Sequence, residues 1–236
     1  LVALALYNGI PHLLTPVITN PKKAILSLKW AISEMERRYD ILEGHAVRDI
    51  DSYHNLIRDL KNKTSETELE SMPYILIFID ELADIMSTYP RELESGIVRL
   101  AQMSRAVGIH LTLSTQRPSV NVITGLIKAN VPTRIALQVA SQIDSRTILD
   151  TAGAEKLLGA GDMLYASSEM SQPQRVQCAF ISEDEVKSVA QYLKSRYKNE
   201  LPDDINLGEG SISPDKSIFS SSLDDEDKDT MYEEAK

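Results

Sequence analysis

The chain has a single cysteine, Cys178, so it can form no internal disulfide and it fits a reducing compartment. No stretch reaches the roughly 18 apolar residues that a transmembrane helix needs, and no signal peptide opens the sequence. Aromatic residues are scarce, at 6%, and are not interleaved with basic ones. That argues against a stacking platform for single-stranded nucleic acid, so Trp30 and Tyr39 read as helix packing. His12 lies in apolar sequence beside Pro11, with no second His or Cys at ligand spacing, and reads as structural rather than metal-binding. The phosphate-cradling loop G-x-x-x-x-G-K-[ST] occurs nowhere in the sequence.

Negative charge is plentiful but unevenly placed. Residues 201–236 hold 11 acids and 3 bases, so most of the net charge of −10 belongs to this tail and the body is nearly neutral. A nearly neutral body leaves room for a local basic patch that binds nucleic acid. The tail is rich in Ser, Asp and Glu and lacks apolar periodicity, so it reads as a disordered acidic linker. Its run Asp224-Asp225-Glu226-Asp227 reads as solvating rather than metal-binding. The chain begins at Leu1 in apolar sequence and reads as a piece of something longer.

Asn20-Pro21 is a helix-start signal. Ile25, Leu28, Ile32, Met35, Tyr39 and Leu42 then recur at spacings of three and four, predicting an amphipathic helix that ends near Gly44. A weaker helix is expected over 49–61 and an exposed loop over 62–71. Residues 74–81, Tyr-Ile-Leu-Ile-Phe-Ile-Asp-Glu, form an apolar run ending in two carboxylates. Such a run predicts a strand over 74–80 buried on both faces. A helix faced by Leu93, Ile97 and Leu100 follows, closed by Gly108, with the next strand at 109–115. Further on, the pattern predicts a helix near 121–129, a strand at 133–140, a helix at 142–149 and a hairpin of 162–166 with 174–180. Ser182 and Glu185 form a capping box for a last helix carrying Val186, Val189, Leu193 and Tyr197. This alternation argues an α/β fold with a mostly parallel sheet covered by helices on both faces.

Acids at the carboxyl end of a buried strand sit where open α/β sheets bind ligands. In nucleotide hydrolases an Asp placed like Asp80 holds magnesium, and an adjacent acid, here Glu81, orients or deprotonates the attacking water. Ser114-Thr115-Gln116-Arg117-Pro118-Ser119 ends the following strand. If the two strands are neighbours, Gln116 offers a donor and an acceptor beside Asp80 and Glu81.

At this point the sequence resembles the motor domain of the FtsK/SpoIIIE family of DNA translocases. The likeness is carried by Tyr-Asn-Gly-Ile-Pro-His-Leu-Leu (7–14), Glu-Met-Glu-Arg-Arg-Tyr (34–39), Asp-Glu-Leu-Ala-Asp (80–84) and Arg-Ala-Val-Gly-Ile-His-Leu (105–111). It continues through Thr115 to Ile135, Asp-Ser-Arg-Thr-Ile-Leu-Asp (144–150) and Leu-Leu-Gly-Ala-Gly-Asp-Met-Leu-Tyr (157–165). The resemblance implies a RecA-like P-loop NTPase core over residues 1–199, N-terminally truncated, with the linker over 200–236. It implies a homo-hexameric ring that uses ATP and Mg2+ to move double-stranded DNA in chromosome segregation at division or sporulation. Asp80 would hold magnesium through water, Glu81 would activate the hydrolytic water, and Gln116 would sense the γ-phosphate. Arg105 resembles an arginine finger reaching a neighbouring subunit. Arg117, Lys128 and Arg146 resemble pore-loop residues on the DNA backbone, and Gly161 and Asp162 resemble a segment bordering the neighbouring nucleotide. Position 142 is Gln where many relatives carry Lys, and Leu1–Leu6 departs from the family pattern. The phosphate loop would lie upstream, so this segment is not expected to hydrolyse ATP by itself. The motor would work at the cytoplasmic face of the bacterial inner membrane, touching the membrane only through a region outside this chain. Two alternatives are a non-catalytic ring-forming or DNA-binding relative, and a conjugation or secretion ATPase of the same superfamily.

Overall fold

A computed structural model describes residues 4–63 and 69–197. The acidic tail and half of the polar stretch expected as a loop over 62–71 lie outside the described residues. Helix α1 spans Pro21–Gly44, with the Asn20 side chain accepting from the Lys23 amide at 3.2 Å. Its buried stripe is Ile25, Leu28, Ala31, Met35, Arg38 and Leu42. Trp30, Ile32 and Tyr39 flank that stripe, partly buried. Helix α2, Ile50–Lys63, contributes Ile50 and Tyr53 to the same core.

Strands β1 (Ile75–Ile79) and β2 (Ile109–Leu113) pair in parallel, from Ile75 opposite Ile109 to Ile79 opposite Leu113. The crossover between them runs through the short helix α3 (Leu82–Met86), α4 (Pro90–Met103) and a single 3-10 turn, Ser104–Val107. α4 lays Leu93, Ile97 and Leu100, all fully buried, into the core shared with α1 and the strands. Gly108 then turns the chain into β2 at φ +73°; a Cβ there would fall 2.4 Å from Ile50 Cδ1.

The strand pair differs from the sequence expectation on one point. Only one of its faces is covered among the described residues: Ile75 and Ile109 are buried, whereas Leu76 and Phe78 are each 62% exposed, on the side shared with His110 and Thr112. An apolar run reports that both faces of a strand are apolar. It does not report that helices cover both, and here α1 and α4 pack on a single side.

The second half carries α5 (Gly125–Asn130), β3 (Arg134–Ala136), α6 (Gln142–Leu149), β4 (Asp162–Ala166) and β5 (Gln174–Gln177). The three strands form a separate antiparallel sheet in the order β3-β4-β5, so parallel pairing is confined to β1 and β2 among the described residues. A small core of Ala136, Leu149, Ala154 and Leu157 lies under this sheet, distinct from the main one. The strand expected over 133–140 is only three residues long, and the helix expected from 121 starts at Gly125, capped by Thr124. The last helix, α7 (Glu183–Arg196), has the full Ser182–Glu185 capping box. It buries Ala190, with Val186, Leu193 and Tyr197 half-buried on the same face, while Val189 points outward. His12 meets Tyr197 edge-on at 4.8 Å, joining the start of the described chain to its end.

Candidate functional site

The carboxyl ends of β1 and β2 are joined beyond the strands themselves. The Ser114 amide donates to the Ile79 carbonyl and the Leu82 amide to the Ser114 carbonyl, both at 2.8 Å. Residues 80–82 and 114–116 therefore run side by side, and the two motifs read from the sequence form one edge. Glu81 is the centre of it. Its Oε1 accepts from the Thr115 hydroxyl and, at 3.1 Å, from the Ala83 amide, which makes Glu81 the N-cap of α3. Its Oε2 accepts from the Gln116 amide at 2.9 Å. Burial pushes the Glu81 carboxyl up, but the Thr115 hydroxyl, the Gln116 and Ala83 amides and the Arg117 charge outweigh it and hold the group below the usual carboxylate range. A carboxylate offers about four lone-pair positions, so one on Oε2 remains for a water.

Asp80 is half-buried at the same strand end, and the Gln116 side chain is exposed. Arg117 follows on the surface, 74% exposed, with its guanidinium 3.8 Å from Asp84 and its amide donating to Thr115 Oγ1 at 3.1 Å. Between exposed partners at that distance the ion pair contributes at most about 1 kcal/mol, so the side chain is readily released.

Arg105 is not part of this edge. It sits on the 3-10 turn at the amino end of β2, whereas Glu81 and Gln116 lie at the carboxyl ends. Five strand residues at roughly 3.3 Å each separate the two by about 17 Å. Arg105 is exposed and makes no ion pair or side-chain hydrogen bond among the described residues.

The residues read as DNA contacts are differently placed. Arg146 is exposed on α6. Lys128 is only 21% exposed, its Nζ donating to Asp150 Oδ1 at 2.6 Å, and Arg134 Nη1 donates to the other oxygen of Asp150. The two cations, Lys128 first, hold the Asp150 carboxyl below its usual range. A phosphate at Lys128 therefore has to compete with Asp150.

Gly161 and Asp162 lie in a tight turn, closed by the Asp162 amide donating to the Gly159 carbonyl at 3.0 Å. Gly161 stands at φ +90°, and a Cβ there would lie 2.6 Å from the Cys178 carbonyl oxygen. Gly161→Ala is expected to destabilise the chain by at least about 1–2 kcal/mol from the left-handed backbone alone, with the carbonyl clash added, as read by chemical denaturation. Asp162 is 4% exposed, receives the Arg175 guanidinium at 2.9 and 2.6 Å, and accepts from the Leu158 amide at 2.8 Å. Arg175, and then the Leu158 amide, pull its carboxyl down to about 2. The folded value lies below the unfolded one, roughly 3.9, so the stabilisation is complete above about pH 4 and is lost as the pH falls towards 2. Asp162→Asn should lower the melting temperature at neutral pH and flatten the fall in stability across that acid window.

Sequence reading missed Arg38, a fully buried arginine on α1. The signal was available: Arg38 lies three residues after Met35 and four before Leu42, on the apolar stripe, with Glu34 one turn back.

The FtsK/SpoIIIE family model matches residues 1–120. The chain is 53% identical over 205 residues to the DNA translocase FtsK of Bacillus cereus, covering 87% of this chain and 26% of that protein. It is 57% identical over 198 residues to the DNA translocase FtsK of Caldanaerobacter subterraneus, with 84% and 26% covered. Against that of Clostridium tetani the identity is 50% over 240 residues, with 99% and 30% covered. The chain thus spans between a quarter and a third of the length of these relatives. Among solved structures it resembles the pCW3 conjugation coupling protein TcpA, monomer form with ATPgS, at TM-score 0.60 and 28% identity, covering 75% of this chain and 50% of that one. The cytoplasmic domain of the Thermomonospora curvata Type VII secretion ATPase EccC has the same fold at TM-score 0.63 and 21% identity, with 86% and 24% covered. The strand-end acids, the glutamine edge beside them and half the sequence over most of the chain agree on one lineage: this chain belongs to the FtsK/SpoIIIE family.

Proposed function

We propose that this segment supplies the hydrolytic edge and the DNA-contacting loops of an ATP-driven double-stranded DNA translocase. The motor is a homo-hexameric ring serving chromosome segregation at division or sporulation. The observation that carries the reading is the joining of Glu81 to residues 115–116 at the carboxyl ends of two parallel strands. The identity of 50–57% to DNA translocases supports it.

The residues at this edge fit magnesium-bound nucleotide. No cluster of three acids, histidines or cysteines occurs among the described residues, and magnesium beside phosphates needs only one or two carboxylates, the remaining positions being water and phosphate. Asp80 is the carboxylate that would hold it, through water. Magnesium, when bound, neutralises the charge that builds on the β- and γ-phosphate oxygens. Glu81, kept anionic and pinned at three points, orients the attacking water through the remaining position on Oε2. Gln116, exposed beside it, hydrogen-bonds the γ-phosphate. Arg105 stabilises the transferring phosphate in the adjacent subunit's site, because it cannot reach its own. The Gly161–Asp162 turn borders the neighbouring nucleotide through its backbone, its carboxylate being committed to Arg175.

Arg117, Arg146 and Lys128 grip phosphates without reading bases, which suits movement along any sequence. Among the described residues no helix is long and apolar enough to cross a membrane. We place the motor at the cytoplasmic face of the inner membrane, with the membrane contact in a region beyond this segment. The likeness to TcpA favours a second reading, a conjugation ATPase. The deciding measurement is ATP hydrolysis, with and without double-stranded DNA, by this segment joined to a phosphate-binding loop. Stimulation by DNA that disappears in Glu81→Gln supports the translocase; no turnover under either condition supports a non-catalytic relative.

A further inference from the structure

Arg105 rides on one 3-10 turn, and a turn that short has little stability of its own. Its direction must be set from outside, and two side chains from α1 do so. Tyr39 donates its hydroxyl to the Met103 carbonyl at 2.7 Å, and Arg38 donates Nη1 to the Val107 carbonyl at 2.9 Å. Met103 ends α4 and Val107 precedes the left-handed Gly108, so the two bonds bracket the segment that carries Arg105. Arg38 is 2% exposed, and Glu34 Oε1 holds its Nε at 2.7 Å. Glu34 in turn receives Arg37 at 2.7 and 2.9 Å, and Arg37 reaches Glu70.

A buried ion pair is a poor way to gain stability, because an apolar pair of similar volume fills the space without desolvating charges. What the arginine adds is direction, since its planar fork fixes the carbonyl it meets. We propose that Arg38 and Tyr39, oriented by Glu34, are positioning residues for Arg105, holding it towards the neighbouring subunit. This rests on the reading of Arg105 as a finger acting in that neighbour.

The test uses the chain carrying its phosphate-binding loop, assembled on double-stranded DNA. Tyr39→Phe removes one hydroxyl from a partly buried ring and keeps the packing. It should lower the kcat of ATP hydrolysis roughly 10-fold, since misplacing a group by about 1 Å costs up to about 10²-fold, with the KM for ATP unchanged. Arg38→Met should lower it further, and Arg38→Lys should recover only part. Each defect should be relieved by mixing with Glu81→Gln chains, which have a dead site but an intact Arg105 to lend. A merely structural lesion would not be relieved, because it would spoil the site within its own chain. Unchanged kcat in Tyr39→Phe, or a loss that mixing does not relieve, overturns the bracket. If Arg105→Ala itself keeps full turnover, the finger reading fails. If Arg105→Ala is inactive and relieved by mixing while Tyr39→Phe and Arg38→Met are normal, only the bracket fails.

Discussion

Arg105→Ala is expected to lower DNA-stimulated ATP turnover by about 10³–10⁵-fold, the usual worth of an arginine finger, with nucleotide affinity close to the parent's. The size of the effect follows from the proposed role: a permanently charged planar donor would face the equatorial oxygens of the transferring phosphate, where charge accumulates. Its location follows from geometry, because Arg105 and Glu81 lie at opposite ends of the parallel pair. The loss should therefore appear at the neighbouring subunit's nucleotide. Arg105→Lys should recover little, since an ammonium cannot make the forked contact. Steady-state hydrolysis on double-stranded DNA reads the effect. Turnover within a few-fold of the parent would remove Arg105 from the mechanism.

Glu81→Gln is expected to cost about 10²–10⁴-fold, the contribution of a positioned acid–base group, while nucleotide still binds. Glutamine keeps one oxygen for the Ala83 amide and the Thr115 hydroxyl, so α3 keeps its cap. It then turns an NH2 towards the Gln116 amide where Oε2 stood, donor against donor, and loses the charge that orients water. Glu81→Ala is a different lesion, which removes the cap as well, typically about 1 kcal/mol. The carboxyl is held below its ordinary value, so the anion and its stabilising bonds persist as pH falls below roughly 4.3 and are lost only as pH passes the lowered folded value. Parent and Glu81→Gln stability curves should accordingly draw together as the pH falls through that lowered folded value. Nucleotide binding by fluorescence, together with hydrolysis, separates the two functions; turnover near the parent's would end the assignment.

The helices with strong local chemistry were legible. Asn20-Pro21 starts α1 where the pattern placed it, 142–149 is helical as expected, and the Ser182–Glu185 box closes in both directions. Local signals suffice there because each cap is made within four residues. α3 escaped notice because five residues define no period and because its cap is Glu81, which reads as chemistry. Arg38 escaped because an arginine is expected at the surface, and only its place on the stripe beside Glu34 says otherwise. The outer face of β1 was misread for another reason: Leu76 and Phe78 are apolar, but what covers a strand is decided by elements far along the chain. At the candidate site the sequence placed Glu81 and Gln116 on consecutive strands, and the parallel register brought them together. It could not reveal that Lys128 faces Asp150 or that Asp162 is taken by Arg175, since both partners are more than ten residues away.

One carboxylate, Glu81, holds the segment Thr115–Gln116, whose next residue is Arg117, and is also the group proposed to orient the attacking water. Free energy linkage is reciprocal. A pull on Arg117 that broke the Thr115 and Gln116 bonds would raise the basicity of Glu81, and whatever strengthens those bonds would in turn hold Arg117 in place. In the translocase proposed above, fuel consumption and grip would thereby be geared to each other across two residues, with no long-range conformational relay required at this point.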